Sequence, residues 1–436
     1  MICSFIVATY LLRAGDDGPP RAPATRGEIK DMLEGSKRQT PRLPLPPLTE
    51  AEKTGGGGGA LGVVNNGRMR RFYLPPELRD GGFARADEPN MSLGHTLRTE
   101  FFWIASRLNN CAYCLGHQEV KLRSAGLDDA TLAALDGDWS GFKPDRRAAF
   151  AFVRKLTYEP HRVGADDLER LRPHFDDRQV LEIIHTCAAN NAMNRWTGAL
   201  AIPQEDHREF LTPSTSADRD RRTQLVPLSP RGESVCVATA ERPAPGTRSE
   251  VEAALAACRI RTSRLPLVEA EKVRELLPET ARQAWSGTPL PEHVRLLANF
   301  PGVGITGVEV IRAAETAGKL DRLLRARVAW VAARHDRAWY ALDMARKRLK
   351  ALGQTDDAIF ALDGDLAGWD AADREALTFA RKLTVAPAMI EDADVARLRG
   401  PFSDHEVAEL IYQITLAAFF DRLTESAGLG SSPDGA

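Results

Sequence analysis

Cys111 and Cys114, in the stretch Asn-Asn-Cys-Ala-Tyr-Cys-Leu-Gly-His (109–117), are the residues of this chain best placed to do chemistry. Two cysteines three residues apart sit nearly one helical turn apart, so both sulfurs project from one face and can form a disulfide. Asparagine is among the strongest helix N-cap residues, and either Asn109 or Asn110 is expected to open a new turn that holds the pair. The positive end of the helix dipole then lowers a thiol pKa below its free value of ~8.5 and favours the reactive thiolate. His117, three residues beyond Cys114, returns to the same face as a candidate proton carrier. Glu100, eleven residues before Cys111, is a second candidate, about three turns back along a continuous helix.

Blander readings compete with each of these. Free cysteine also packs as a small hydrophobe, but flanking asparagines and a nearby histidine are unlike core packing. Cys-x-x-Cys-x-x-His could supply three zinc ligands, with His185 or Cys187 as a fourth. The spacing of known zinc fingers is not met, so no metal is expected. His185 sits on an apolar segment and reads as a core histidine, while Glu100 could simply pair with Arg107. Cys187, Cys236 and Cys258 read as packing or linker residues.

The elements that position the pair read as helices. Phe101, Ile104, Ala105 and Leu108 share one face at 3.6-residue spacing, as do Val180, Leu181, Ile184, Cys187 and Ala188. Turn signals separate them at Gly126, Leu135-Asp136-Gly137-Asp138, Glu159-Pro160 and Arg172-Pro173. No stretch alternates with period two, so an all-α fold is expected.

The chain also repeats itself. Leu135-Asp136-Gly137-Asp138 recurs as Leu362-Asp363-Gly364-Asp365, and Arg154-Lys155-Leu156-Thr157 as Arg381-Lys382-Leu383-Thr384, both 227 residues later. Trp103 and Trp330, Phe152 and Phe379, and Arg195 and Arg422 keep the same offset. One ungapped offset over roughly a hundred residues indicates two copies of one fold. Each copy is expected to be a bundle of about five to seven helices. The expected division is a flexible segment (1–39), a first domain (40–212), a linker (213–259) and a second domain (260–430). The Gly55–Gly59 run also reads as flexible chain. Trp103, shared by both copies, reads as core, and Leu-Asp-Gly-Asp as a turn. In the second copy Ala338, Ala341, Met344 and Arg327 stand where the first has Cys111, Cys114, His117 and Glu100. It is expected to serve as scaffold, supplying the interface of a second subunit.

With 58 basic and 60 acidic residues among 436, the net charge of −2 gives no electrostatic case for a nucleic-acid or anionic-membrane partner. Six scattered cysteines do not resemble a secreted disulfide framework. The hydrophobic start Ile2–Leu12 is too short to span a bilayer and lacks a basic leader. A cytoplasmic location is expected.

Glu100…Cys111-x-x-Cys114…His117, the segment Arg98–Gln118 and the later Asn190-Asn191…Asn194-Arg195 resemble the carboxymuconolactone decarboxylase superfamily, in particular its alkylhydroperoxidase AhpD-like branch. The resemblance implies an all-α fold that assembles into homo-oligomers, and a cofactor-free peroxidase or disulfide-exchange reaction. It implies a peroxide substrate, a dithiol reductant or adaptor protein, attack by Cys114, resolution by Cys111, and proton relay through Glu100 and His117. Two spacings differ from that branch: Gln118 occupies the usual histidine position, and Glu100 stands one residue closer to Cys111. Glutamine is neither acid nor base. Other readings are a redox-sensing or assembly module without turnover, and cofactor-free decarboxylation, whose branch does not rely on a cysteine pair.

Overall fold

The computed structural model describes residues 22–23, 25–54, 63–79, 88–206 and 246–431. The Ile2–Leu12 start, the Gly55–Gly59 run, Cys3, Cys236 and most of the expected linker lie outside them. The fold is all-α: the described residues form 20 α-helices and no strand. None of these helices is long and apolar enough to cross a membrane.

Three helices lead the first half: Arg26–Ser36 (α1), Glu50–Thr54 (α2) and Asn66–Tyr73 (α3). Six follow: His95–Leu108 (α4), Ala112–Ser124 (α5), Asp129–Leu135 (α6), Pro144–Tyr158 (α7), Ala165–Glu169 (α8) and Asp177–Ala199 (α9). The second half opens with Arg248–Arg259 (α10), Ala270–Leu276 (α11), Glu279–Ala284 (α12), Glu292–Leu297 (α13) and Val303–Ala313 (α14). Then come Arg322–Asp336 (α15), Trp339–Ala351 (α16), Asp356–Phe360 (α17), Ala371–Val385 (α18), Asp392–Leu398 (α19) and Asp404–Ala427 (α20). Helices α15 to α20 each start 227 residues after their counterparts α4 to α9.

The recurrence extends to the backbone and to side-chain anchors. Asn110 and Arg337 share a left-handed conformation (φ 50° and 51°), and so do Trp139 and Leu366 (both 62°). The repeated Leu-Asp-Gly-Asp turn acts through its first aspartate. Asp136 accepts from Trp103 Nε1 (2.8 Å) and Arg107 Nε (3.0 Å); Asp363 accepts from Trp330 Nε1 (3.0 Å) and Arg334 Nε (2.9 Å). A carboxylate, buried at Asp136 and half-buried at Asp363, thus ties the turn to the first helix of each repeat, satisfying donors that burial would otherwise leave stranded.

Helices α9 and α20 are buried on nearly every side and pack against each other through one continuous hydrophobic core. Both begin with a capping box, Asp176 with Gln179 and Ser403 with Glu406, which satisfies exposed amides at the start. The contact is reciprocal. Arg195 Nη2 donates to Thr384 O (2.9 Å), and Arg422 Nη2 donates to Thr157 O (3.5 Å). Residue i touching j′ while i′ touches j is the pattern of a two-fold interface, built here within one chain.

Two expected flexible stretches are partly helical. Residues 26–36 form α1 because Thr25 and Glu28 make a capping box, and Arg26 and Lys30 dock onto Glu119 and Asp129. Residues 248–259 form α10, capped by Thr247 and Glu250, with Val251, Leu255 and Cys258 buried along one face. Both gain stability from long-range docking, which their own short apolar pattern does not announce.

Candidate functional site

Helix α4 ends at Asn109, and the chain turns through left-handed Asn110 before α5 begins. Asparagine tolerates this conformation better than most residues. The cap itself is Cys111 rather than either asparagine: its Sγ accepts from the Cys114 amide at 3.3 Å, and its own amide donates to Ser106 O at 2.9 Å.

The two sulfurs lie 2.7 Å apart as free thiols, each 3.1 Å from Thr197 Oγ1 on α9. Thr197 also donates to Met193 O (2.9 Å). A hydroxyl has one proton, so Thr197 either keeps that bond and accepts S–H, or turns its proton to a thiolate. The pair is almost sealed, with Cys111 3% and Cys114 2% exposed. Burial works against ionising Cys111, but hydrogen bonds with Cys114 and Thr197 and the Cys114 amide hold its thiol below the ordinary value. Cys114 is pushed well up by burial, by its hydrogen bond to Cys111 and by the charge there. Of the two thiols, Cys111 is therefore the easier to ionise. The resemblance assigns first attack to Cys114 instead.

A polar layer from α9 backs the thiols. Asn109 Nδ2 donates to Asn191 Oδ1 at 3.0 Å, and the Asn194 amide lies 3.0 Å from both Asn109 and Ser106 Oγ. Arg195 Nη1 donates to Asn191 O at 3.1 Å. Gln118, buried on α5, donates to Cys114 O at 3.2 Å. It acts as a packing hydrogen-bonder.

His117 packs on the Tyr113 ring (centroids 4.4 Å apart), with Nε2 3.5 Å from Glu205 Oε1. Tyr113 OH donates to the same Glu205 oxygen (3.1 Å) and accepts from the Asn66 amide (3.3 Å). Glu205, from the segment after α9, is thus the carboxylate beside His117. It lies 88 residues away with no local signal to mark it.

Glu100 pairs with an arginine of α7. Its Oε1 accepts from Arg146 Nη1 on α7 at 2.5 Å, and it is fully buried. Burial pushes its carboxyl up to about 7, with Arg146 offsetting only part of that. It stands six residues before Ser106, the α4 residue that receives the Cys111 amide, or about 9 Å along the helix axis. At the matching position of the second repeat Arg327 pairs with Asp373, the same ion pair with its charges exchanged.

Of the remaining candidates, His185 is buried between Phe300 and Phe419 (5.8 and 5.3 Å), and burial alone lowers it to about 4. Cys187 is buried with Thr157 Oγ1 at 3.6 Å, and burial raises it to about 11. Neither faces the pair. No group of three or more potential metal ligands occurs among the described residues.

The second repeat keeps the backbone of the site and changes its contents. Ala338 occupies the N-cap position (φ −89°, ψ 91°) as Cys111 does (φ −89°, ψ 95°). Asp336 and Asp421 stand where the first repeat has Asn109 and Asn194. Asp336 pairs with Arg422 at 3.0 Å with both side chains fully buried. Burial and the nearby Asp336 push Asp421 well above the carboxylate range. Compared with known families and with curated proteins, the chain matches none.

Proposed function

We propose that the first repeat is an AhpD-like thiol oxidoreductase that reduces a hydroperoxide through Cys111 and Cys114. The observation that carries this reading is the approach of the two thiols to 2.7 Å at the start of α5, with Thr197 bridging them. One thiolate attacks the terminal peroxide oxygen, the O–O bond breaks, and the leaving alkoxide takes a proton and departs as alcohol. The sulfur is left as a sulfenic acid. The second thiol displaces its hydroxyl as water and an S–S bond forms. An external dithiol then reduces that bond by exchange.

Cys111 is the easier of the two to ionise, and one proton transfer between the sulfurs makes Cys114 the attacker, with Cys111 left as the resolving thiol. His117 with Glu205 is the titratable pair that accompanies the thiols on α5, so the relay is assigned to these two rather than to Glu100. The test is peroxide turnover with a dithiol reductant. Cys114→Ser is expected to abolish it, and Cys111→Ser to trap a sulfenic acid on Cys114. Turnover unchanged in both variants would overturn the reading.

The burial of both sulfurs supports a second reading, a redox-sensing module whose disulfide alters the packing of α5 on α9. Reversible disulfide formation without peroxide turnover would select it. Under either reading the second repeat takes the place of a partner subunit. Recovering a soluble, fully active protein after deletion of 260–436 would refute that role.

A further inference from the structure

A cleft of about 360 Å³ opens in the second repeat, at the place equivalent to the thiol site. It lies among α14, α15, α16 and α20. Three truncations help to form it. Ala329, Ala341 and Ala417 line it, standing where the first repeat has Phe102, Cys114 and Asn190. Leu416 and Phe420 complete an apolar wall.

Two polar features turn this space into a site. Asp421, only 2% exposed, lines the cleft, and its Oδ2 has no hydrogen-bond partner. A stranded buried carboxyl oxygen is costly and calls for a partner. At the mouth stand Arg322 and Arg348. Arg348 pairs with Glu315, whereas Arg322 is exposed and makes no ion pair among the described residues. Arg325, deeper in, is engaged by Glu409 and by the carbonyls of Leu320 and Ala314. The mouth therefore carries excess positive charge. The floor is balanced, because Asp336 and Glu425 act on Asp421 against Arg422 and Arg195. A cationic ligand is disfavoured at the mouth.

From this arrangement we infer that the second repeat binds a small amphipathic monocarboxylate, its anionic head at Arg322 and its apolar body between the alanine-lined helices. Asp421 closes the inner end of the cleft, so a ligand whose far end carries a hydroxyl also gives its Oδ2 a partner. The volume is at the small end of the range for ligand sites, roughly 300–1,000 Å³, and suits a body of medium chain length. The site is separate from Cys111 and Cys114 and does not rest on the thiol reading.

Calorimetric titration of the full chain with octanoate, octylammonium and 1-octanol tests this. Octanoate is expected to bind saturably at one site, with octylammonium and octanol at least tenfold weaker. Arg322→Glu, an exposed change that leaves the core intact, is expected to weaken octanoate at least tenfold. Ala341→Leu, which fills the cleft, is expected to abolish binding with helical content unchanged. The Cys111→Ser/Cys114→Ser chain is expected to bind octanoate normally. Absence of octanoate binding, equal binding of octylammonium or octanol, indifference to Arg322→Glu, or loss of binding with the thiols would each overturn the inference.

Discussion

The two repeats place the same helices around different chemistry. In the first, neutral amides from Asn109, Asn191 and Asn194 surround two thiols that share a proton. In the second, alanines replace the thiols, and a buried Asp336–Arg422 pair with Asp421, its carboxyl pushed well up by burial and by Asp336, replaces the amides. A thiolate needs neighbours that donate hydrogen bonds without adding negative charge. Once the thiols are absent that constraint lapses, and carboxylates can enter, one of them held by the arginine that crosses to the other repeat. The comparison teaches that the shared scaffold tolerates either content, and that the asparagines around the thiols matter for their chemistry.

The largest effect should come from the thiols themselves. Under the peroxidase reading Cys114→Ser lowers turnover by roughly 10³-fold or more, the scale seen when a nucleophile is removed. Grafting Ala338→Cys with Ala341→Cys tests the converse. The new pair should oxidise, yet alkylate about tenfold more slowly at neutral pH, because the Asp336 carboxylate opposes a nearby thiolate where the neutral Asn109 does not. Equal alkylation rates for the two pairs would break the comparison.

Next in size is the polar layer. Asp336→Ala leaves Arg422 buried without its carboxylate and should destabilise the fold by about 3–5 kcal/mol in denaturant titration. Asn109→Ala removes neutral hydrogen bonds at the equivalent place and should cost only about 1 kcal/mol.

His185 separates the repeats by pH. Its folded value of about 4 lies below the unfolded ~6.5, so the unfolded chain takes up the proton first on acidification. The stability held above pH ~6.5 is then lost as pH falls towards 4, by about 3 kcal/mol from this group. His185→Leu should remove that part of the acid sensitivity, leaving the contribution of His293, lowered to about 3, in the second repeat. Midpoints of chemical unfolding from pH 7 to 4.5 would show it.

Thr197→Val is a smaller change. Losing its hydrogen bond should raise the pH at which Cys111 alkylates, since that bond helps hold the thiol down. Thr424→Val, in the repeat without thiols, should leave that profile unmoved. Smallest of all, the double substitution E100R/R146D copies the Arg327–Asp373 pair of the second repeat. It should stay within ~1 kcal/mol of the parent and retain turnover. Loss of turnover with stability intact would return Glu100 to the proton relay.

Much of this architecture was legible in the residues. The 227-residue offset appears as the same helix starts, the same left-handed turns and the same tryptophan–aspartate anchors. The closeness of Cys111 and Cys114 follows from one turn of helix. The cap departs from the asparagine expected at that point because a cysteine sulfur takes the role, while Asn110 serves through its left-handed backbone. Helices α1 and α10 were missed because their hold comes from distant partners, Glu119 and Asp129 for α1.

The sequence by itself determined the helices, their duplication and the pairing of two thiols on one turn, since each depends on neighbours within a few residues or on direct repetition. Only the tertiary structure decided which carboxylate meets His117, which partner holds Glu100, which thiol ionises more readily and how Arg195 and Arg422 cross between repeats. Those outcomes depend on burial and on side chains brought together from far along the chain. The electrostatic value of a group is set by what surrounds it after folding, and no local pattern records that.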